Sequence, residues 1–301
     1  MHHLDLDAYF ARIGWSGERA PTRATLRSLH LAHVMGIPFE NVEVLLGGVP
    51  SLEPADVEAK LVRHGRGGYC FEHNLLFAGV LERLGFGVTR LAARVRMGTD
   101  RIRPVTHMLL TVDVPGEEHP YVADVGFGSG GLLEPLPLLP GVSSPQGAWR
   151  YRLVREGELW LLETVRGDDG WFTVYAFTTE RRESVDFEVA NWYIATHPRS
   201  PFRGTLRVQR SGPHGRAFLE HRRLTVVASD GSQEIRDLKD DQEVLRVLVR
   251  DFGLLLPWDT RFPEPPTRAE PPTTDEPPAP FAVSDPIEKG PKSRRTEGLK
   301  G

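Results

Sequence analysis

Apolar positions in the first part of the chain recur at helical spacing. Between Thr22 and Met35 they fall at Leu26, Leu29 and Val34, and Gly36 followed by Pro38 ends the run. Pro54 stands where a first helical residue is favoured and opens a segment predicted to reach His64. From Cys70 onward, Leu75, Leu76, Phe77, Val80, Leu81 and Leu84 crowd one stretch, and Gly85 suits the position just past a helix end. Apolar side chains cover most faces of this segment, which predicts a buried central helix.

After Gly85 the period changes. Val88 to Val95, His107 to Val114 and Tyr121 to Val125 alternate as strands do, with turn chemistry at Pro115-Gly116. Tyr151 to Arg155, Leu159 to Val165 and Phe172 to Phe177 extend the set, and together they predict a barrel or a strongly curved sheet. A short helix is expected over Glu188 to Thr196. Strands follow at Leu206 to Gln209, Ala217 to Leu219 and Leu224 to Ala228, then an amphipathic helix from Gln242 to Phe252, stopped by Gly253. The class is α+β. From Pro263 prolines crowd a stretch with acids and threonines, and a basic end runs from Lys289 to Lys300. That segment has almost nothing to bury and is expected to be a disordered tail, 263–301.

Composition narrows the function classes. A chain of 301 residues has room for two or three packed units. A formal charge of −4 gives no reason to expect nucleic acid or an anionic membrane as partner. No apolar run approaches the roughly 20 residues that span a bilayer. Leu4-Asp5-Leu6-Asp7 puts acids where a signal peptide carries its apolar core. One cysteine excludes an intramolecular disulfide, and a free thiol fits a reducing compartment, so the cytoplasm is the expected location.

That cysteine, Cys70, sits in Arg66-Gly67-Gly68-Tyr69-Cys70-Phe71-Glu72-His73-Asn74. Two glycines give a bare backbone approach to a helix N-terminus, where unpaired N–H groups and the macrodipole favour an anion, here the thiolate. The thiol therefore reads as a nucleophile, and a nucleophile of this kind needs a base and a group to orient the base. Eleven histidines compete for the first role. Cys70-x-x-His73 resembles half a metal site, but no second cysteine exists, and no metal is expected. His30 and His33 share a helical face and are expected to cap or pack. His107 opens a strand, and the next strand carries Asp124 among apolar residues. A tight pivot at Pro115-Gly116 sets position 107 opposite 124. A wider turn of even length shifts the pairing but leaves both side chains on one sheet face, whereas a loop of odd length separates them, so the pairing is conditional on an even turn. Asp124 then orients the imidazole of His107. The glycine-rich run from Gly126 to Gly131 follows directly, and its bare N–H groups suit a phosphate or a carbonyl oxygen.

These residues resemble the arylamine N-acetyltransferases. The resemblance rests on His33-x-x-x-Ile37-Pro38-Phe39-Glu40-Asn41, the Cys70 block, Thr106-His107-Met108, and Asp124-Val125-Gly126-Phe127-Gly128, in the order and spacing of that family. Val185-Asp186-Phe187 to Ser200-Pro201-Phe202-Arg203 adds a later block. It covers roughly residues 5 to 260. Tyr69 stands where the family often has Phe or Trp. The resemblance implies a helical domain over 1–86, a β-barrel domain over 87–197 and an α/β lid over 198–262, built round a cysteine-protease-like Cys-His-Asp core. It implies Cys70 as the acetyl-carrying nucleophile, His107 as base and Asp124 as orienter, with Arg66 and Glu40 bracing the loop before Cys70. Phe127 and Phe202 line the acceptor pocket in this view. Thr106 and Gly128 approach the coenzyme A end, and Gly126 counts with them as substrate-facing. Acetyl-CoA is the acyl donor, an arylamine or hydrazine the acceptor, and no cofactor stays bound.

Three other readings compete. Amide synthases of the same family release or cyclise a polyketide-type chain with the same triad, and the quoted blocks do not separate them from acetyltransferases. Cysteine peptidases and transglutaminase-like proteins also order Cys, His and then Asp or Asn. The papain-type spacing is much longer than that from Cys70 to His107, and the Ile37-to-Asn41 block has no counterpart there. A binding protein on this scaffold is expected to have lost a triad member, and all three are present.

Overall fold

The computed structural model describes residues 4–264 except 100, 129 and 167–169. The tail expected from Pro263 therefore lies, from residue 265 onward, outside the described residues. Helices come first: α1 (Leu6–Ile13), α2 (Arg23–Gly36), α3 (Val42–Leu45), α4 (Pro54–Glu58) and α5 (Cys70–Arg83). Capping side chains mark the starts. Asp5 accepts from the Ala8 N–H at 3.0 Å and Thr22 from the Thr25 N–H at 3.2 Å. The helix expected to run to His64 keeps α geometry only to Glu58 and continues as a π-helical turn, Ala59–Arg63. At this widened turn Lys60 reaches both Glu43 and Glu72 at 2.6 Å while Leu61 stays fully buried. On α5, four consecutive residues, Phe71 to Asn74, are buried, so the helix is enclosed on all sides as its pattern predicts.

Eight antiparallel strands form the second part. They are β2 (Gly87–Val95), β3 (His107–Asp113), β4 (Tyr121–Ala123), β5 (Leu136–Pro137), β6 (Ser144–Gln146), β7 (Trp149–Glu156), β8 (Leu159–Arg166) and β9 (Phe172–Phe177). Their order is β5-β4-β3-β2-β9-β8-β7-β6. The segment after β5 bends back along β7, where the Gly141 N–H donates to Leu153 O at 2.7 Å, so the sheet nearly closes. Its interior holds Leu91, Leu109, Val122, Tyr151, Leu162 and Tyr175.

The helix α6 (Ser184–Thr196) starts four residues before the expected Glu188, because Asp186 accepts from the Glu183 N–H at 3.0 Å and fixes an earlier cap. A second sheet takes β1 (Phe39–Glu40) as its edge. It continues through β10 (Arg207–Gly212), β11 (Gly215–Glu220), β12 (Arg223–Ala228) and β13 (Gln233–Asp237). The last helix, α7 (Asp241–Phe252), ends at Gly253 with φ +65° and lays Val244, Leu245, Val247, Leu248 and Phe252 on this sheet's buried side chains. Sequence periodicity missed β1, β5 and β6 because two or three residues do not establish a period. It missed β13 because that edge strand is mostly exposed and polar.

Candidate active site

Cys70 is the first residue of α5, and the loop before it is held from three directions. Arg66 donates through Nε and Nη2 to Glu40 Oε1 at 2.9 and 2.6 Å, and Glu40 Oε2 accepts from the Val42 N–H at 2.6 Å. Arg66 and Glu40 thus tie the loop to β1. Gly67 passes so close to β1 that a Cβ on it would lie 2.1 Å from Pro38 O. Glu72, in the first turn of α5, accepts from the Tyr69 N–H at 3.1 Å. The Tyr69 hydroxyl donates to Asn191 on α6, a bond that Phe or Trp at this position lacks. Cys70 is 6% exposed, and its thiol points toward Thr106 O at 3.7 Å, on the residue before His107.

His107 opens β3. The β3–β4 register pairs Leu110 with Ala123 and Val112 with Tyr121, two residues away from the register of a tight pivot at Pro115-Gly116. The connection is wider because the chain turns through 113–120. A shift of two preserves the face, and His107 Nε2 meets Asp124 Oδ2 at 2.7 Å with both side chains buried. Nε2 being committed to Asp124, Nδ1 is the nitrogen left for Cys70. Burial disfavours the charged imidazolium. The charge and hydrogen bond of Asp124 outweigh it, Cys70 adds to them, and the His107 pKa is pushed up to about 10. Burial likewise opposes charge on Asp124. His107 and then the Asn74 and Gly126 donors reverse that, holding the carboxyl below its ordinary range.

Two supporting residues escaped the sequence reading. Asn74, four positions after Cys70 on α5, donates to Met108 O at 2.7 Å and to Asp124 Oδ1 at 3.0 Å, and accepts from the Val125 N–H at 3.2 Å. Its i+4 spacing from Cys70 was the available signal. His30 on α2 donates through Nδ1 to Leu133 O at 3.0 Å, which leaves Nε2 to accept from the Asp124 N–H at 3.2 Å. His30 and His33 are thus hydrogen-bonded core groups. For His33 the direction of each bond follows from its neighbours. Pro38 O only accepts, so His73 Nε2 donates to it at 3.2 Å and Nδ1 accepts from His33 Nε2 at 2.9 Å. Tyr9 must then donate to His33 Nδ1 at 2.8 Å. In this run of hydrogen bonds from Tyr9 to Pro38 both imidazoles, His33 and His73, are neutral. Burial first of all pushes His30 and His73 down to about 4 and His33 well below its ordinary value.

The residues expected to face substrate divide into two groups. Phe127 stands edge-on to the His107 ring at 5.0 Å, with Tyr175 5.1 Å from the same ring. Phe202 lies instead against Phe39 and Tyr69 at 5.8 and 6.1 Å, on the side of the loop before Cys70. Thr106 contributes its carbonyl beside the thiol. The Gly126 N–H donates to Asp124 Oδ1 at 3.0 Å, and a Cβ on it would lie 2.7 Å from the Cys70 Cα, so this glycine permits close approach to α5. Gly128, at φ +80°, faces Gln209 on β10. Among the described residues no group of three His, Cys, Asp or Glu side chains is arranged to hold a metal ion, and no helix is long and apolar enough to cross a membrane.

A sequence model of a family described as N-acetyltransferase matches residues 22–261. An arylamine N-acetyltransferase of Mycolicibacterium smegmatis is 41% identical over 83% of this chain and 92% of its own length. The structure of a Mycobacterium marinum arylamine N-acetyltransferase in complex with CoA superposes with a TM-score of 0.79. It is 37% identical and covers 83% of this chain and 93% of that one. A proansamycin X synthase of Amycolatopsis mediterranei is 32% identical over 84% of this chain and the whole of its own length. Identity at this level across most of both chains, on the same fold, means that this chain belongs to the arylamine N-acetyltransferase family.

Proposed function

We propose that this protein transfers an acetyl group from acetyl-CoA to the nitrogen of an arylamine or hydrazine, with Cys70 as nucleophile, His107 as base and Asp124 as orienter. The observation that carries the reading is the thiol at the start of α5 beside a buried imidazole whose far nitrogen is bonded at 2.7 Å to a buried carboxylate. Family membership and a relative whose structure is in complex with CoA support the donor.

His107 keeps a proton at neutral pH, and the thiolate is the form in which a cysteine attacks. The thiolate forms a C–S bond to the acetyl carbon, and the carbonyl electrons move onto oxygen. The Cys70 N–H, one of the unpaired donors of the first turn, is a natural partner for that oxyanion. Collapse breaks the bond to coenzyme A, whose thiolate leaves with the proton from His107. The amine then attacks acetyl-Cys70, passes its proton to His107 and expels the Cys70 thiolate, which restores the starting pair. An arylamine is neutral at pH 7, so its lone pair is available without prior deprotonation. Kinetics are ping-pong. In this reading Phe127 and Phe202 flank the acceptor, and Thr106, Gly126 and Gly128 face the donor. Arg66 and Glu40 hold the loop. Residues 1–86 supply the nucleophile, 87–197 the base and orienter, and 198–262 cover the cleft. The cytoplasm, where a free thiol persists, is the working compartment.

Intact mass tests it. One acetyl group on Cys70 after acetyl-CoA alone, lost on addition of 4-aminobenzoate or a hydrazine with acetylated product appearing, is the expected result. Cys70→Ser is expected to fold and to transfer nothing, and near-normal turnover by it sinks the assignment. A second reading, an amide synthase, is favoured by the proansamycin X synthase relative. Its lower identity, 32% against 41%, puts it second. It predicts no adduct from acetyl-CoA and acylation by a longer-chain thioester.

A further inference from the structure

We propose that Arg216, acting through Tyr151, is a positioning residue that holds Phe127 against His107 and so tunes selection of the aromatic acceptor. Arg216 lies on β11 of the five-stranded sheet and is 1% exposed. Its guanidinium carbon sits 3.7 Å from the centre of the Trp149 ring on β7 of the other sheet. Nη2 donates to the Tyr151 hydroxyl and, at 3.2 Å, to Gly131 O. Arginine has no acceptor, so the Tyr151 oxygen accepts from it, and the Tyr151 O–H is free to donate to Gly131 O at 2.8 Å. One carbonyl therefore takes two donors, one from each sheet.

Gly131 is the contact that transmits this grip. A Cβ on it would lie 3.0 Å from the Phe127 Cβ and 3.1 Å from Gly128 O, and its N–H donates to Gly128 O at 3.0 Å. Phe127 is thus backed by a residue that Arg216 and Tyr151 hold from behind, and its ring meets His107 edge-on. At its other end the same segment is fixed by the Gly126 N–H on Asp124. Loosening Gly131 frees the Phe127 ring while leaving the His107–Asp124 bond intact. A buried guanidinium is costly to desolvate, and one of the hydrogen bonds of this one goes to a glycine carbonyl beside the site.

The kinetic arm of the test rests on the acetyltransfer reading, and a second arm does not. Tyr151→Phe and Arg216→Met are compared with wild type, with Arg216→Lys as the conservative variant. Losing one such hydrogen bond is expected to raise the arylamine KM about fivefold, while single-turnover acetylation of Cys70 stays within about twofold. Independently of any turnover, Cys70 is alkylated with iodoacetamide and with a bulky N-aryl iodoacetamide. The ratio of the two rates is expected to change about threefold in Tyr151→Phe and Arg216→Met, with the iodoacetamide rate itself steady and Arg216→Lys returning part of the ratio. A lowered thermal midpoint with KM and reagent ratio unchanged would mean a purely structural role and overturns the proposal. Parallel loss of both alkylation rates overturns it too, because that is general loosening of the site. Should Arg216→Met not fold, Tyr151→Phe decides. Should wild type accept no acetyl group from acetyl-CoA, the acetyltransfer reading fails and the reagent ratio alone judges the positioning role.

Discussion

Replacing Asp124 by Asn keeps the shape of the side chain and removes its charge, and the geometry says where the damage falls. Three donors converge on the carboxylate: His107 Nε2 at 2.7 Å, and Asn74 Nδ2 and the Gly126 N–H, both at 3.0 Å on the other oxygen. An amide offers one oxygen only. If that oxygen takes the place that receives two donors, the NH₂ faces His107 Nε2, which must then accept. The proton moves to Nδ1, the nitrogen on the Cys70 side, and His107 can no longer take one from the thiol. Loss of a hydrogen bond to a charged group is worth about 1.5–3 kcal/mol, so the share of molecules with a proton held on His107 against Cys70 falls about tenfold to a hundredfold. Burial, no longer opposed, pushes in the same direction. The assay is the second-order rate of Cys70 alkylation by iodoacetamide at pH 7, with the thermal midpoint as a check on folding. Wild type is expected to react about tenfold or more faster than Asp124→Asn. Equal rates in two folded proteins would refute the argument that Asp124 sets the proton position on His107.

Three further outcomes follow from the same site. Gly126→Ala puts a methyl 2.7 Å from the Cys70 Cα and 2.8 Å from Cys70 O, so the two backbones must part. A misplacement of this kind is expected to lower kcat about a hundredfold, and a near-normal kcat contradicts the close-approach argument. Asn74→Leu leaves Met108 O and the Val125 N–H buried without their partner, at about 1–3 kcal/mol each. Urea unfolding is expected to show a loss of roughly 2–6 kcal/mol, and a loss below about 1 kcal/mol overturns it. Acid acts through His30 and His73, whose pKa values burial lowers to about 4. Between about 6.5 and 4 the unfolded chain binds protons that these folded histidines refuse, so stability falls as pH falls through that window, by roughly 3 kcal/mol for each histidine at pH 4. His107, raised to about 10, contributes oppositely, its share being full below about 6.5 and lost as pH rises through 10. A denaturation midpoint that stays flat from pH 7 to 4.5 refutes the buried-neutral assignment.

What the sequence carried to the site was parity more than position. The expected pairing of residue 107 with 124 is off by two, yet His107 and Asp124 still meet, because side chains on a strand alternate and an even shift keeps the face. Cys70 was legible for a similar reason, since glycines before a helical run fix where the helix begins. His30 was not legible as a support for Asp124. Ninety-four residues separate them, and the bond depends on how α2 lies against the end of β4, which no local period encodes. The same limit divides the residues expected to face substrate. Phe127 inherits its place from Asp124, three residues upstream on one continuous segment, and lands on His107. Phe202 depends instead on a two-residue strand, β1, joining β10 from more than 160 residues away, and it settles against Phe39 and Tyr69. The groups proposed to perform the chemistry, Cys70, His107 and Asp124, sit at or beside a strand or helix end and inherit its geometry. Phe202, proposed to flank the acceptor, is set by how β1 joins the five-stranded sheet. A change such as Tyr151→Phe, where the two sheets meet, is likewise expected to alter selectivity through contacts that no spacing in the chain announces.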